Sequence, residues 1–451
     1  MASAEHSKER LVAFQQAYQN LQLLPLLTQE ELDKFWVEYG TAVLERLEQS
    51  VLDSTPGNDK IIFTGHRGCG KSTLLAEFCR QIEGEYFVVM FSIAELIEMS
   101  DVNHVNILFA IAVQLMEAAE NQKVKIKPSI KKKFYRWFGE QTRLETSTIE
   151  ADLEVKSEVG GGLDAIFKFL FQIKSILKAN AVIRDEIKTK FERQISDLID
   201  RINEIAAAIR ADINKPILVV IDDLDKLDLE LVEKIYCNNI NPLFQPEFGI
   251  IYTIPIAAIR NLTFLNVIKG KTNKIELMRV AKFFPKRANR DPNAEPVESE
   301  VAVFQEILRK RLPPELMEPE IEQQIILNSG GVLRELMRLA SLCCSKCLVQ
   351  IRRAIRKQDP ETPLPDIKIN ADVLALAVAD LRIDFATPLG RLDYDLLKRV
   401  YQDNEPQNAE DQRFLDFLHG LYILEYRNAQ LWYDLHPIVT DLLKEQVPDL
   451  A

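Results

Sequence analysis

The stretch Gly65-His66-Arg67-Gly68-Cys69-Gly70-Lys71-Ser72-Thr73 follows the apolar run Ile61-Ile62-Phe63-Thr64 and fits the pattern G-x-x-x-x-G-K-[ST]. The run reads as a buried strand, and the nine residues after it read as a phosphate-binding loop, or P-loop. Each residue type has a chemical reason. Glycines let the backbone curl until successive N–H groups converge on phosphate oxygens, Lys71 reaches the β- and γ-phosphates, and the Ser72 hydroxyl ligates Mg²⁺. Leu74-Leu75-Ala76-Glu77-Phe78 continues as a helix whose positive dipole end faces the anion. The competing reading is a Gly-rich turn that matches by accident, and a second motif far downstream weighs against it.

That second motif is Ile217-Leu218-Val219-Val220-Ile221-Asp222-Asp223-Leu224-Asp225, introduced by Lys215-Pro216. Five apolar residues form a buried strand, and the acids sit at its end, where open α/β sheets bind their ligands. Asp222 is expected to hold Mg²⁺ together with Ser72, and Asp223 to polarise the attacking water. Asp225 is a weaker candidate for the same task. Helix capping by an acid-rich turn would account for one of the three carboxylates. Apolar runs at 86–91, 249–255 and 274–280 supply three further strands of a parallel sheet. Thr253, at the end of one of them, is a candidate polar sensor of the γ-phosphate.

With 451 residues, 47% of them apolar, the chain can bury a large core. Its net charge of −12 gives no global footprint for nucleic acid or an anionic membrane, so any such contact needs a local patch. Cys69, Cys79, Cys237, Cys343, Cys344 and Cys347 do not form a secreted disulfide pattern, and a reducing cytoplasm is expected. Cys344 and Cys347 lack the further ligands that a zinc site needs and read as buried thiols. The charged N-terminus has no apolar signal region, and no run of about 18 apolar residues occurs, so no membrane association is expected.

Residues 8–52 carry helical spacing, with Leu11, Phe14, Tyr18 and Leu21 on one stripe, and Pro56-Gly57-Asn58-Asp59 reads as the turn that ends them. Residues 121–139 hold Lys123, Lys125, Lys127, Lys131, Lys132, Lys133 and Arg136 with no acidic residue among 123–136, interleaved with Phe134, Tyr135, Trp137 and Phe138. This is the one local patch suited to phosphate backbones, the alternative being a solvated helix face beside packed aromatics. Gly160-Gly161-Gly162 reads as a joint. Beyond it, Ile187, Phe191, Ile195, Leu198, Ile202, Ile205 and Ile209 form the seam of one long amphipathic helix, the second arm of a helical hairpin within an insert at 121–213. Its partner is the same chain, a second copy or another protein.

Residues 285–300 read as a loop carrying Arg287 and Arg290, either of which could reach a neighbouring subunit's nucleotide. Ser329-Gly330-Gly331-Val332-Leu333-Arg334 reads as a turn opening a helix, with Arg334 in the first turn and able to point back to a phosphate. From about residue 388, two helices precede a hairpin at 421–435, the order of a winged-helix-like module. From 380 to 451 there are fourteen Asp/Glu against seven Lys/Arg, which argues against DNA as its partner. His436, after the hairpin, reads as structural.

Taken together, these motifs resemble the AAA+ and STAND group of P-loop ATPases. Ile221-Asp222-Asp223-Leu224-Asp225-Lys226 is similar to the acidic string of STAND and KAP-type ATPases, where typical AAA+ proteins have Asp-Glu. Gly330-Gly331-Val332-Leu333-Arg334 resembles the sensor-2 turn of AAA+ lids. The resemblance covers residues 36–120, 214–355 and, more weakly, 388–451, and leaves out 121–213. It implies a P-loop NTPase fold with parallel strand order 5-1-4-3-2, ATP and Mg²⁺ as ligands, and hydrolysis at a cleft shared with a lid. The expected division is a helical lead-in at 1–55, a P-loop core at 56–285, a lid at 286–360 and a winged-helix-like domain at 361–451. The expected function is a regulatory or signalling ATPase whose nucleotide state controls a protein partner or self-assembly through the insert and C-terminal module, a role that relatives fill in bacterial defence. The alternatives are a DNA-associated loader using the basic patch at 123–136, and an ATP-binding scaffold with little turnover.

Overall fold

The computed structural model describes residues 2–53, 59–147, 163–291, 293–357, 366–428 and 430–447. Residues 56–58 of the turn expected at 56–59, the three glycines at 160–162 and Ala429 of the hairpin turn lie outside the described residues. The chain divides into two compact units, one of Ala42–Thr64 and Leu75–Leu277, the other of Met1–Thr41, Gly65–Leu74 and Met278–Ala451.

The first unit is built on the sheet. Its strands are β1 (Lys60–Gly65), β2 (Phe87–Ser92), β3 (Ile217–Asp222), β4 (Gly249–Pro255) and β5 (Ile275–Met278), in the order β2-β3-β4-β1-β5. This is the expected order read from the other edge. β2 pairs with β3 in parallel from Phe87↔Ile217 to Ser92↔Asp222, and β3 pairs with β4 in parallel from Leu218↔Gly249 to Ile221↔Tyr252. Every residue of β1 and β3 is buried, whereas β2, at the edge, alternates buried and half-buried. Central strands covered on both faces need continuous apolar runs, and that is what made them visible in the sequence.

Between β2 and β3 the chain makes a helical excursion through Ile93–Leu96, His104–Asn121, Pro128–Thr142, Leu163–Ala179, Ala181–Arg193 and Ile195–Ile213. His104–Asn121 is its centre, with Ile107, Leu108, Phe109, Ile111, Val113 and Leu115 all at 0% exposure. A helix apolar on every face is stable only when neighbours cover all of it. The single long helix expected across 187–209 is instead two, because Gln194 leaves helical geometry (φ −134°, ψ 44°) between Arg193 and Ile195. The apolar spacing runs straight through the break, since both segments pack on the same buried centre. The aromatics of the basic stretch take the packing role. Phe134, Tyr135 and Phe138 are buried, and Trp137 lies 5.5 Å from the Phe109 ring and 5.9 Å from the Phe191 ring. Lys131 pairs with the buried Glu120 and Lys133 with Glu204.

In the second unit the N-terminal helix (Ala2–Asn20) packs on the long helix Leu333–Lys357. Phe14, Ala17 and Leu21 face inward, while Tyr18, placed on the same stripe by spacing, is 45% exposed. The C-terminal stretch comprises the helices Ala371–Ala386, Arg391–Asp403 and Gln412–His419, the antiparallel pair β6 (Ile423–Asn428) and β7 (Gln430–Leu435), and the helix Pro437–Gln446. His436 caps that last helix, its Nδ1 accepting from the Ile438 N–H at 3.3 Å while its ring stacks on Phe385. Burial holds its pKa down to about 3, which keeps the imidazole neutral as this role requires. No helix among the described residues is long and apolar enough to cross a membrane.

Lys60 opens β1 with its ammonium buried, donating to the carbonyls of Pro246 and Phe248 at 2.9 Å each. Burial pulls its pKa down to about 8, against an opposing pull from Asp59. A folded pKa below the unfolded value of about 10.4 means that the protonated form costs stability below pH ~8, and that the cost is relieved as pH rises from there. Buried thiols such as Cys343, pushed up to about 12, act in the opposite sense above pH ~8.5, so the comparison must be between variants. The melting temperature of the parent minus that of Lys60→Met is expected to rise between pH 7 and 10. A pH-independent difference would contradict the assignment.

Candidate nucleotide-binding site

The P-loop lies between β1 and the helix Lys71–Ile82. Gly68 and Gly70 have φ of +81° and +102°, a region that side chains rarely tolerate. A second constraint falls on the same two residues. A Cβ on Gly68 would lie 2.5 Å from the Arg334 Cβ, and one on Gly70 would lie 2.9 Å from the Leu333 Cδ1. The first turn of the helix Leu333–Lys357 therefore rests on the loop, and the Arg334 N–H donates to the Gly68 carbonyl at 3.0 Å.

The loop's polar side chains are anchored in turn. The buried Lys71 ammonium donates to the Gly65 and His66 carbonyls at 3.0 and 2.8 Å, and Thr73 Oγ1 accepts the Leu26 N–H at 3.0 Å. His66 is 1% exposed, and its Nε2 accepts the Glu425 N–H of β6 at 2.8 Å. Tyr426, the next residue of β6, donates its hydroxyl to the Gly330 carbonyl at 3.2 Å. The Gly331 carbonyl accepts from the Ala281 N–H at 3.1 Å. Cys69 is buried, Ser72 half-buried and Arg67 exposed. Beside Arg334, Glu335 is buried, and burial pushes its carboxyl up against the opposing pull of Arg338 and Arg334.

In the sheet unit the acids stand at the end of β3, as expected. Among the described residues, Asp222, Asp223 and Asp225 each place a carboxylate oxygen within 4.8 Å of the others. An all-oxygen donor set of this kind suits a hard cation such as Mg²⁺. Asp223 adopts left-handed geometry (φ +68°), which Asp tolerates better than most residues. Both of its carboxylate oxygens are held, Oδ2 by the Ser92 hydroxyl at 2.6 Å and Oδ1 by the Lys226 ammonium at 2.5 Å. Thr253 is fully buried; its Oγ1 accepts the Leu224 N–H at 3.0 Å and donates to the Ile221 carbonyl at 3.1 Å. Its hydroxyl thus braces the turn that carries the acids.

Two arginines considered for action on a neighbouring subunit are used within their own chain. Arg287 donates to Asn404 Oδ1 at 3.1 Å, while Arg290 lies over the Tyr401 ring at 4.2 Å and donates to the Tyr401 carbonyl. Sequence reasoning missed the partners of His66 and Ser92. His66 occupies a position of the P-loop pattern that any residue can fill, and no local signal marks a bond to a strand 359 residues away.

Gly68→Ala is expected to lower the melting temperature by several degrees, since a methyl group at positive φ costs about 1–2 kcal/mol before the clash with Arg334 is added. An unchanged melting temperature would contradict the close approach of the helix Leu333–Lys357.

Residues 41–244 match the KAP family P-loop domain. This span runs through the helical excursion, which the resemblance in the sequence had left out. No curated relative matches the chain. Among solved structures it is similar to the Walker-type ATPase of Pyrococcus abyssi (14% identity, 94% of this chain and 99% of that one, TM-score 0.37). It is also similar to Aeropyrum pernix ORC1 in complex with DNA (12% identity, 94% and 97%, TM-score 0.35) and to a RuvB variant of Thermotoga maritima (14% identity, 95% and 100%, TM-score 0.37). The matched span holds the P-loop, β1 to β3 and the acidic end of β3, an arrangement similar to a KAP-like P-loop NTPase domain.

Proposed function

We propose that this protein is a regulatory ATPase in which the nucleotide at the P-loop sets the state of the lid turn and of the C-terminal module. The observation that carries the reading is the direct bonding of the loop to both: Gly68 to Arg334, and His66 to Glu425. A phosphate entering the loop competes for Lys71, whose ammonium otherwise holds the Gly65 and His66 carbonyls. Any change in the curl of residues 65–68 is therefore passed to β6 and to the helix Leu333–Lys357.

In this reading the backbone N–H groups of residues 65–73 and Lys71 hold the triphosphate, with Arg334 as a lid contact. Ser72 and Asp222 hold Mg²⁺, which neutralises phosphate charge when bound. Asp223 orients the water that attacks the γ-phosphate, and Thr253 keeps the turn bearing Asp223 in place. The C-terminal stretch works as a winged-helix-like module. Its acidic balance and the buried aromatics at 134–138 favour a protein partner or a second copy over DNA. The free thiols suit a reducing cytoplasm.

Steady-state hydrolysis and ATP binding test this directly. Asp223→Asn should slow turnover by about 10²-fold, within the usual range for a general base, with ATP affinity retained. Lys71→Ala should weaken ATP binding by about 10- to 100-fold, the worth of about one charge-assisted hydrogen bond. Turnover at the parental rate in Asp223→Asn would place the base elsewhere, stimulation of the parent by DNA would favour a loader, and no parental turnover would favour a scaffold.

A further inference from the structure

A cavity of about 240 Å³ opens within the second unit, and no residue of the loop 65–73 lines it. Its walls come from four segments: Phe283 and Phe284 after β5, Asn328 and Gly330 of the turn before the helix Leu333–Lys357, Tyr426 and Trp432 of the hairpin, and one face of the last helix. Contacts hold these walls apart. The Tyr426 and Trp432 rings stack with centroids 4.5 Å apart at 22°, the Tyr426 hydroxyl donates to the Gly330 carbonyl at 3.2 Å, and a Cβ on Gly330 would lie 2.8 Å from the Pro437 Cδ. A space kept open by such packing is not a loose gap, since protein interiors leave few voids larger than a water molecule.

The lining carries both signs of charge. Asp434, 3% exposed, sets a carboxylate into the wall; its Oδ1 accepts the Leu435 N–H at 2.9 Å, and the Arg290 guanidinium stands off at 3.8 Å. A carboxylate has about four acceptor sites, so an incoming ammonium can be added to these. At the rim, the exposed Asp441 and half-buried Lys444 lie three residues apart on one face of the last helix, a second carboxylate and an ammonium. The remaining wall is largely aromatic. Pockets for drug-sized ligands run from about 300 to 1,000 Å³, so this one takes something smaller, and its two carboxylates repel a phosphate.

We propose that this cavity binds a free amino acid with an aromatic side chain, its α-ammonium on Asp434 and Asp441, its α-carboxylate on Lys444 and its ring among the aromatic walls. Both signs in the lining then have a use. A plain cation would face Lys444, and a plain anion would face two carboxylates.

Calorimetric titration of the full chain without nucleotide, using L-phenylalanine as the probe, tests it independently of turnover. L-phenylalanine should bind, and phenethylamine and phenylpropionate, which each lack one of its charges, should bind about tenfold more weakly or worse, the loss of one charge-assisted hydrogen bond. Asp441→Asn and Lys444→Met, both on the helix surface, should each weaken binding about threefold, and Asp434→Asn by more. Trp432→Phe should keep the affinity and lose the ligand-induced change in tryptophan fluorescence, because Trp36 and Trp137 do not line the cavity. No binding of L-phenylalanine at millimolar concentration, equal binding of phenethylamine or phenylpropionate, an affinity untouched by both helix variants, or a fluorescence change that survives in Trp432→Phe would overturn the proposal.

Discussion

The absence of a Cβ at residues 68 and 70 is asked for twice. The curl of the loop requires positive φ at these positions, and the first turn of the helix Leu333–Lys357 comes so near that a methyl group would meet Arg334 or Leu333 at 2.5 or 2.9 Å. Because one pair of glycines serves both, the loop's backbone is in register with the helix that begins at Leu333. The Gly68 carbonyl is consequently available to the Arg334 N–H. From that contact the order extends outward, through Gly330 to Tyr426 and through His66 to Glu425.

A different device holds the acids. β3 is buried along its length and delivers Asp222 at its end; Asp223 then leaves strand geometry at positive φ, with its carboxylate fixed by Ser92 and Lys226. Thr253 secures the turn from the neighbouring strand. Buried charge is tolerated here because each carboxylate oxygen of Asp223 has a hydrogen-bonding partner. Three carboxylates held within 4.8 Å of one another form a donor set that suits a hard cation.

Much of this was legible in the sequence. Parallel strands covered on both faces must be short apolar runs, so β1, β3 and β4 declared themselves, as did the Gly-rich loop after β1 and the acids at the end of β3. What was not legible depended on partners distant in the chain. The interval from Phe191 to Ile195 is as helical as those around it, so spacing could not reveal the break at Gln194. The rings at 134–138 have a pattern that suits either bases or a core, and only the buried helix at 104–121 decides for the core. Thr253 was legible as a polar strand end, but not its partners, the Ile221 carbonyl of β3 and the Leu224 N–H of the turn after it. His66 and Ser92 gave no signal, since a P-loop variable position and a strand-ending serine are common without any such bond.

The central claim is that the state of the P-loop is felt at the C-terminal hairpin through His66. Amide hydrogen exchange across residues 423–427, followed with and without a saturating non-hydrolysable ATP analogue and Mg²⁺, tests it most directly. The account predicts faster exchange at the Glu425 amide when the nucleotide is bound, because drawing Lys71 onto phosphate releases the Gly65 and His66 carbonyls and moves the imidazole that accepts from Glu425. Unchanged exchange in a fully loaded protein would contradict it.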